Sequence, residues 1–305
     1  MRLRADLALA FVAFIWGATF LIVKNALGDI SPVLFLTIRF SLATVLLMGV
    51  FRNTWFPKRG ERLKVFQVGG ALGACLIAGY VLQTMGLEFT SASKAGFITG
   101  FYIPLVPFFG IFVYDSSGGG FRMEWPKPVE TVGILVATAG MILMTLPEER
   151  VGIGKGDLLV LIATIAFAVQ ILLLAKVTGT VPFESLVVIQ IGAAAMFSWI
   201  LCPMVETPRL VWSGAVIFAL IASAVFATAV AFGVQSWAQQ YTTATRSALI
   251  FALEPVFAWV TAFLVAGETL TARAAMGAVA ILAGILLVEL KPGVAGGHPK
   301  VSRAE

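Results

Sequence analysis

The sequence predicts an all-α integral membrane protein with ten transmembrane helices, arranged as two inverted repeats of five helices each. Three observations support this: the composition, the length of the apolar runs, and a residue pattern that recurs in the second half. Of the 305 residues, 59% are hydrophobic and 12% are charged. Soluble domains average about 45–50% and about 25% by similar counts. A soluble core could not bury this much apolar surface, so lipid must be the solvent.

Ten apolar runs are each long enough to cross the hydrocarbon core, which takes roughly 20 helical residues. They are continuous and rich in Ala, Leu and Gly rather than alternating, which favours helices over strands. The first run follows a basic N-terminus, but it is too long for a signal peptide and lacks a clear cleavage site, so we expect an uncleaved span. In order, the predicted spans are 6–28, 31–51, 65–88, 93–114, 128–146, 157–176, 182–203, 213–239, 246–266 and 271–290.

The distribution of Lys and Arg over the loops predicts the orientation of these spans. Cytoplasmic loops of membrane proteins carry an excess of basic residues. That excess falls on the side of the N-terminus, so both termini are expected in the cytoplasm and the protein in the bacterial inner membrane. The outer side then holds only Lys24, Lys94, Arg150, Lys155, Arg209 and Arg273.

An internal repeat is visible when the two halves are aligned. Segment 80–96 (YVLQTMGLEFTSASKAG) matches segment 232–248 (FGVQSWAQQYTTATRSA), and segment 6–20 matches segment 157–171. Paired polar residues in the same order rarely arise by chance between apolar helices. The matched positions include Gln83 with Gln235, Thr90 with Thr242, Lys94 with Arg246, and Asp6 with Asp157.

The repeat divides the chain into residues 1–150, residues 151–290 and a tail, 291–305, that is expected to be disordered and cytoplasmic. Each half has an odd number of spans, so the second half must lie upside down relative to the first. Many secondary transporters use such inverted repeats to alternate access to one midplane site. The hairpin at 88–94 would face outside and the hairpin at 240–246 the cytoplasm.

The segment TTATRSALIFALEPVFAWVTAFLVAGETLT (242–271) combines small polar residues, a basic residue, LEP, and GE before the last span. This pattern resembles the signature of EamA-type members of the drug/metabolite transporter superfamily. The first-half segments WGATF (16–20), TIRF (37–40) and SASKAGFITGFYIPLVPFF (91–109) fit it as well. The resemblance implies an exporter of amino acids, other metabolites or drugs, and bacterial exporters of amino acids, aromatic ones included, are the most similar in character.

Two charged residues are predicted to lie inside the membrane. Glu254 follows an apolar run, and a charge at this depth costs about 2.5–3.5 kcal/mol, so it should face protein or a water-filled cavity. It could couple protons or contact a cationic substrate group, or it could be a structural or gating carboxylate beside Pro255. Arg39 keeps its charge in nearly any environment. It could clamp a substrate carboxylate, or anchor to a carbonyl or acid on a neighbouring helix.

Polar and aromatic side chains at similar depth are the candidate substrate-binding residues. An amide in lipid is unfavourable unless it finds a partner, so we expect these groups to point inward. A pocket of this kind suits a zwitterion or a flat apolar solute, whereas a phosphate would require several buried Lys or Arg residues. The candidates are Trp16, Thr19, Tyr80, Gln83, Tyr102, Phe167, Gln170, Gln235 and Trp237.

Glycines and prolines near the two hairpins could act as hinges. Proline interrupts the hydrogen-bond ladder of a helix, so these residues are either hinges or static kinks that suit packing. The candidates are Gly96, Gly100, Pro104, Pro107 and Pro255.

Other functional classes have little support. The single His298 and the isolated Cys75 and Cys202 make no metal site and imply no cofactor. The spans lack the nucleophile–base set of an intramembrane enzyme, and the scattered basic residues do not predict nucleic-acid binding. The expected partners are a small-molecule substrate and the lipid bilayer, with the chain acting as a monomer. A drug or cation exporter of the same fold and a non-transporting membrane binding protein are the alternatives.

Overall fold

The protein is helical where the sequence predicts spans. Within the described residues, 7 helical segments are long and apolar enough to cross a membrane, and two further apolar helices are shorter. Large apolar side chains such as Val45, Trp199 and Leu264 are exposed on the outside of the bundle, as lipid contact requires and water would disfavour. The computed structural model describes residues 1–110, 114–115, 120–121, 127–145, 154–267 and 271–290.

The first half contributes the first five predicted spans, and the fourth of them is broken into two half-helices. A two-residue antiparallel β pair, Tyr114–Asp115 with Gly120–Phe121, lies in the connection before the fifth. The helices are α1 (Arg2–Ala26), α2 (Pro32–Val50), α3 (Arg62–Phe89), α4 (Ala92–Thr99), α5 (Tyr102–Gly110) and α6 (Pro128–Thr145).

The second half follows the same order, and its fourth span is broken as well. Its third span contains a π-helix at Ser223–Val230, which joins α9 to α10. The helices are α7 (Lys155–Val177), α8 (Phe183–Val205), α9 (Gly214–Ala222), α10 (Ala231–Ala238), α11 (Ala244–Phe251), α12 (Leu253–Ala266) and α13 (Ala272–Leu290). The proposed tail, 291–305, lies outside the described residues.

The first helices of the two halves begin at opposite ends of the bundle. Lys24, near the end of α1, donates a hydrogen bond to the Leu87 carbonyl near the end of α3 (2.7 Å). Lys94, in the hairpin that follows α3, pairs with Asp157 at the start of α7 (2.6 Å). The start of α7 therefore lies at the end of α1, which is the arrangement that inverted repeats require.

Glycines bring the last helices of the two halves into backbone contact. A Cβ atom on Gly140 of α6 would lie 2.6 Å from the Gly277 carbonyl oxygen of α13, and one on Gly133 would lie 2.8 Å from the Gly284 carbonyl oxygen. Small residues at such positions allow membrane helices to approach closely. The interface of α6 with α13 therefore ties the two halves together.

The breaks in the two hairpin-following spans lie at Gly100–Phe101 and at Ala252. The predicted spans at 93–114 and 246–266 therefore each contain two half-helices, and the breaks lie close to the prolines that were expected to interrupt them. Pro104 and Pro255 lie in the first turns of α5 and α12, where backbone N–H groups have no intrahelical partner. They therefore suit the starts of the second half-helices, whereas Pro107 lies inside α5.

Candidate functional site

A cavity of about 60 Å³ lies among helices of both halves. It is lined by the predicted residues Trp16, Thr19, Tyr80, Gln83, Tyr102, Phe167, Gln170 and Gln235, together with Arg39 and Glu254. Phe20, Val23, Leu76, Thr84, Leu87, Thr99, Ile171 and Phe232 complete the lining and were not among the candidates.

Trp237 does not line this cavity. It is partly buried and packs against Tyr241, with ring centroids 5.5 Å apart. Residues two positions apart on a helix do not share a face, so Trp237 points away from the cavity that Gln235 lines. The same rule identifies Phe232, three positions before Gln235, as a lining residue.

Aromatic rings form the apolar walls of the cavity. The Trp16 ring lies 5.4 Å from the Phe232 ring and 5.0 Å from the Phe251 ring. The Tyr80 ring meets the Phe167 ring edge to face at 5.2 Å and the Phe232 ring at 6.2 Å. Tilted and edge-to-face pairs of this kind are favourable and hold the rings in position.

Two pairs of polar side chains meet at the cavity. Gln83 donates a hydrogen bond to the Thr99 hydroxyl (2.9 Å), and Gln235 donates one to the Gln170 carbonyl oxygen (3.3 Å). The Nε2 of Gln170 and the Oε1 of Gln235 have no hydrogen-bond partner among the described residues. A buried donor and acceptor left unpaired are costly, so this part of the wall can bind a polar ligand or water.

Arg39 is buried and anchored to the π-helix. Its Nε donates to the Thr228 hydroxyl (2.7 Å) and its Nη2 to the Ala227 carbonyl (3.2 Å). The guanidinium carbon lies 4.6 Å from the centre of the Tyr80 ring, within cation–π range. These bonds use two of five N–H groups, and the guanidinium lines the cavity. The contacts of Arg39 thus fit its interpretation as an anchor to a neighbouring helix. Its remaining N–H groups are available to a ligand in the cavity.

The π-helix explains why one carbonyl can serve two helices. The Ala227 carbonyl also accepts a hydrogen bond from the Trp16 indole (3.0 Å). Thr228 donates its own hydroxyl hydrogen to the Ser223 carbonyl (2.8 Å). Single-turn π segments often occur at functional sites. This one joins α1 and α2 to the third span of the second half, and nothing in its apolar sequence predicted it.

Glu254 lies in the first turn of α12, at the break between the half-helices. Its carboxylate accepts a hydrogen bond from the Tyr102 hydroxyl (3.0 Å), and Tyr102 is the first residue of α5. The same hydroxyl also contacts the Phe251 carbonyl (3.3 Å). A single side-chain contact therefore connects the two helix breaks across the cavity.

Gly96 and Gly100 provide close packing at the first break. A Cβ atom on Gly96 would lie 2.9 Å from the Cβ of Ala258 in α12, and one on Gly100 would collide with the Met141 sulfur. The contact of α4 with α12 therefore depends on the absence of a side chain at Gly96. Among the described residues, no cluster of three or more His, Cys, Asp or Glu residues could hold a metal ion.

Comparison with known proteins places this architecture among transporters. The model of the EamA-like transporter family matches residues 3–146 and again residues 154–290. A protein of Archaeoglobus fulgidus described as an uncharacterized transporter is 33% identical over 297 residues, covering 95% of this chain and 87% of the relative. The uncharacterized transporter YoaV of Bacillus subtilis is 22% identical, covering 92% of this chain and 95% of the relative.

A solved crystal structure shares the fold. It is 18% identical, has a TM-score of 0.73 and covers 95% of this chain and 98% of its own. At this identity the likeness concerns the fold alone.

Proposed function

Since the chain belongs to the EamA-like transporter family, we propose that it is a secondary transporter that exports amino acids with aromatic or other apolar side chains. It works by alternating access, in which the central cavity opens to one side of the membrane at a time.

The observation that carries this proposal is the chemistry of the cavity lining. Arg39 offers a guanidinium to a carboxylate, and Glu254 offers a carboxyl group to an ammonium. The rings of Trp16, Tyr80 and Phe232 line the same cavity and suit an apolar side chain. One buried cation and one buried acid favour a substrate that carries both charges over a phosphate ester, which would require more basic residues.

The size of the cavity supports a moving transporter over a static binding protein. A single water occupies about 10–15 Å³ by the same measure, so the cavity of about 60 Å³ admits only a few waters. An aromatic amino acid is larger than this free volume, so side chains or helices around the cavity must move to admit it. The breaks at Gly100–Phe101 and Ala252 are positions at which movement of a half-helix would open one end of the cavity and not the other.

The proposal is tested with purified protein in liposomes. Uptake is measured for a panel of labelled amino acids, their amine analogues, organic cations and phosphorylated metabolites, with and without a pH gradient. Aromatic or branched amino acids should be transported and should compete with one another. Transport of organic cations without amino acids would favour the drug or cation exporter, with Glu254 as the cation contact.

We further propose an inner-membrane topology with both termini in the cytoplasm. Ser91 and Thr243 are exposed N-cap residues of α4 and α11, so a cysteine at either position should be accessible from one side. With Cys75 and Cys202 replaced by alanine, Ser91→Cys should react with an impermeant thiol reagent only from the periplasm. Thr243→Cys should react only from the cytoplasm. Reaction of both from the same side of oriented vesicles would refute this topology.

The amides at the cavity should contribute a moderate share of the affinity. Gln83→Leu and Gln235→Leu are each expected to raise the apparent substrate constant by a few-fold to about tenfold, because each removes one neutral hydrogen bond. Concentration-dependent exchange in liposomes provides the measurement, with thermal unfolding recorded in parallel.

Gln190→Leu is the matched control for these variants. Gln190 is fully buried and contacts Ser236 (3.3 Å) but does not line the cavity. Its replacement should leave the substrate constant unchanged. If Gln83→Leu and Gln235→Leu lower the thermal stability and leave affinity intact, the amides serve only to join helices.

A further inference from the structure

Two ion pairs join the two halves of the protein, and the first involves Lys94. Lys94, in the first turn of α4, pairs with Asp157 in the first turn of α7 (2.6 Å). The same carboxylate accepts the Thr90 hydroxyl (2.7 Å) and the Gly154 backbone N–H (2.9 Å). This pair connects the hairpin of the first half to the first helix of the second half.

The second ion pair involves the corresponding residues of the other half. Arg246, in the first turn of α11, pairs with Asp6 near the start of α1 (3.1 Å). Ser91 caps α4 by accepting the Lys94 N–H (3.2 Å), and Thr243 caps α11 by accepting the Arg246 N–H, also at 3.2 Å. Both basic side chains are thus presented by the same local structure.

The two ion pairs lie at opposite ends of α1. Asp6 lies near its first residue, and Lys24, near its last, contacts the carbonyls of Leu87 and Glu88 just before the hairpin that carries Lys94. Each pair joins one half of the protein to the other, and the cavity lies between them. Both pairs are formed in this structure.

We infer that Lys94–Asp157 and Arg246–Asp6 are the two gates of the transport cycle, which open one at a time to admit the substrate from opposite sides. The inference rests on the proposed alternating-access function. It assigns a positioning role to four residues outside the cavity lining, because they control which end opens without contacting the substrate.

Ion pairs near the ends of helices suit this role because their net stabilisation is small when water can reach them. The Lys94 side chain is 26% exposed and that of Asp157 7%, whereas those of Arg246 and Asp6 are each 9% exposed. The Lys94–Asp157 pair is therefore the more accessible of the two and the less costly to separate. Opening an end would hydrate both charges, so the free-energy cost of separating them is small there. Deep in the membrane the same separation would leave unpaired charges without water and would cost much more. A contact of this strength can close an end and still release it during each cycle.

The acidic residues of the two gates make different hydrogen bonds in this structure. Thr90 donates to Asp157, but at the other end the Oδ1 of Asp6 and the hydroxyl of Thr242 have no hydrogen-bond partner among the described residues. Thr242 is the counterpart of Thr90 in the repeat. The acids at the two ends therefore differ in their hydrogen bonds.

The test is side-specific labelling of a cysteine in the cavity. In a background with Cys75→Ala and Cys202→Ala, Thr84→Cys is exposed to a charged, impermeant methanethiosulfonate reagent on either side of sealed, oriented vesicles. Asp157→Asn should raise the labelling rate about fivefold from the Lys94 end and lower it from the other. Asp6→Asn should do the reverse. The expected size follows from the modest strength of accessible ion pairs.

Three further variants separate gating from structural support. Lys94→Gln breaks the first pair by changing its basic partner and should give the same labelling rates as Asp157→Asn. If one of these two variants folds poorly, the other still tests the first gate. The swap of Lys94→Asp with Asp157→Lys should move the rates back toward those of the parent, short of full restoration, because a lysine at 157 cannot accept the Thr90 hydroxyl and the Gly154 N–H. Lys155→Gln removes a nearby charge that lies 5.0 Å from the centre of the Phe89 ring and belongs to neither ion pair, and should change neither rate.

Equal changes from both sides, or lower thermal stability with unchanged labelling, would overturn the assignment of the gates. If the parent protein is labelled from both sides while the gate variants shift neither rate, the gates are wrong and alternating access stands. If no variant is ever labelled from more than one side, alternating access itself is wrong.

Discussion

Arg39→Met should raise the apparent substrate constant for an amino acid by about tenfold to a hundredfold. A hydrogen bond to a charged group contributes about 1.5–3 kcal/mol, and Arg39 is the one buried basic residue that lines the described cavity. The measurement is exchange in liposomes over a range of substrate concentrations. Arg39→Lys should lose part of this affinity, because lysine retains the charge without the planar fork that matches a carboxylate.

Two controls separate a substrate contact from the anchoring role that the structure shows. Thr228→Val removes the partner of the Arg39 Nε (2.7 Å) but keeps the guanidinium, so it should cost less affinity than Arg39→Met. An amine analogue of the substrate that lacks the carboxylate should bind the parent protein and the Arg39→Met variant with the same affinity. If Arg39→Met weakens the amine and the amino acid equally, Arg39 acts only through the π-helix.

Glu254→Leu should reduce exchange and gradient-driven transport together, by about tenfold or more. The Tyr102 hydroxyl would lose its carboxylate acceptor (3.0 Å) and keep only the longer contact with the Phe251 carbonyl (3.3 Å), and a hydrogen bond to a charged group contributes about 1.5–3 kcal/mol. Because this contact joins the two helix breaks, its loss should disturb the conformational step that both transport modes share. Initial rates of exchange and of pH-driven uptake give the comparison.

Milder variants distinguish this tie between breaks from proton coupling. Glu254→Gln keeps an acceptor for the Tyr102 hydroxyl and should retain more activity than Glu254→Leu, with a response to the pH gradient. Tyr102→Phe removes the same hydrogen bond from the other side and should resemble Glu254→Leu in kind. Should Glu254→Gln abolish the gradient response while exchange continues, Glu254 carries the transported proton.

Much of the fold could be predicted from two patterns in the sequence, the apolar runs and the internal repeat. The lengths of the apolar runs predicted the spans, because the thickness of a bilayer sets the length of a helix. The matched positions of the repeat, such as Gln83 with Gln235, brought polar residues of both halves to one cavity. Charge and hydrogen-bonding capacity in lipid make such residues conspicuous, since an isolated polar group there is unfavourable.

The features that the sequence did not predict depend on contacts between distant segments. The sequence predicted interruptions near Gly100, Pro104 and Pro255, but the residues at which the helices break, Gly100–Phe101 and Ala252, follow from packing. The π-helix arises where Arg39 and Trp16 meet one carbonyl, and its own residues are unremarkable. Trp237 was included as a candidate because it is close to Gln235 in the sequence, whereas the helical period places the two residues on different faces.

The ion pairs show a different kind of omission. Asp6, Asp157, Lys94 and Arg246 were recognised as matched positions, but the alignment pairs acid with acid and base with base. The structure instead joins each base to the acid of the opposite half. A repeat shows which residues are equivalent, whereas the contacts between repeats follow from how the halves pack.

Counterflow in liposomes tests the central claim, that this protein transports its substrate through an alternately exposed cavity, most directly. Vesicles loaded with an unlabelled aromatic amino acid are diluted into a trace of the labelled compound, with no ion gradient. The account predicts transient accumulation of label above the equilibrium level, dependent on the internal amino acid and abolished in vesicles without protein. Label that saturates at the amount of protein and is indifferent to the internal amino acid would contradict it, because a binding protein would behave in that way.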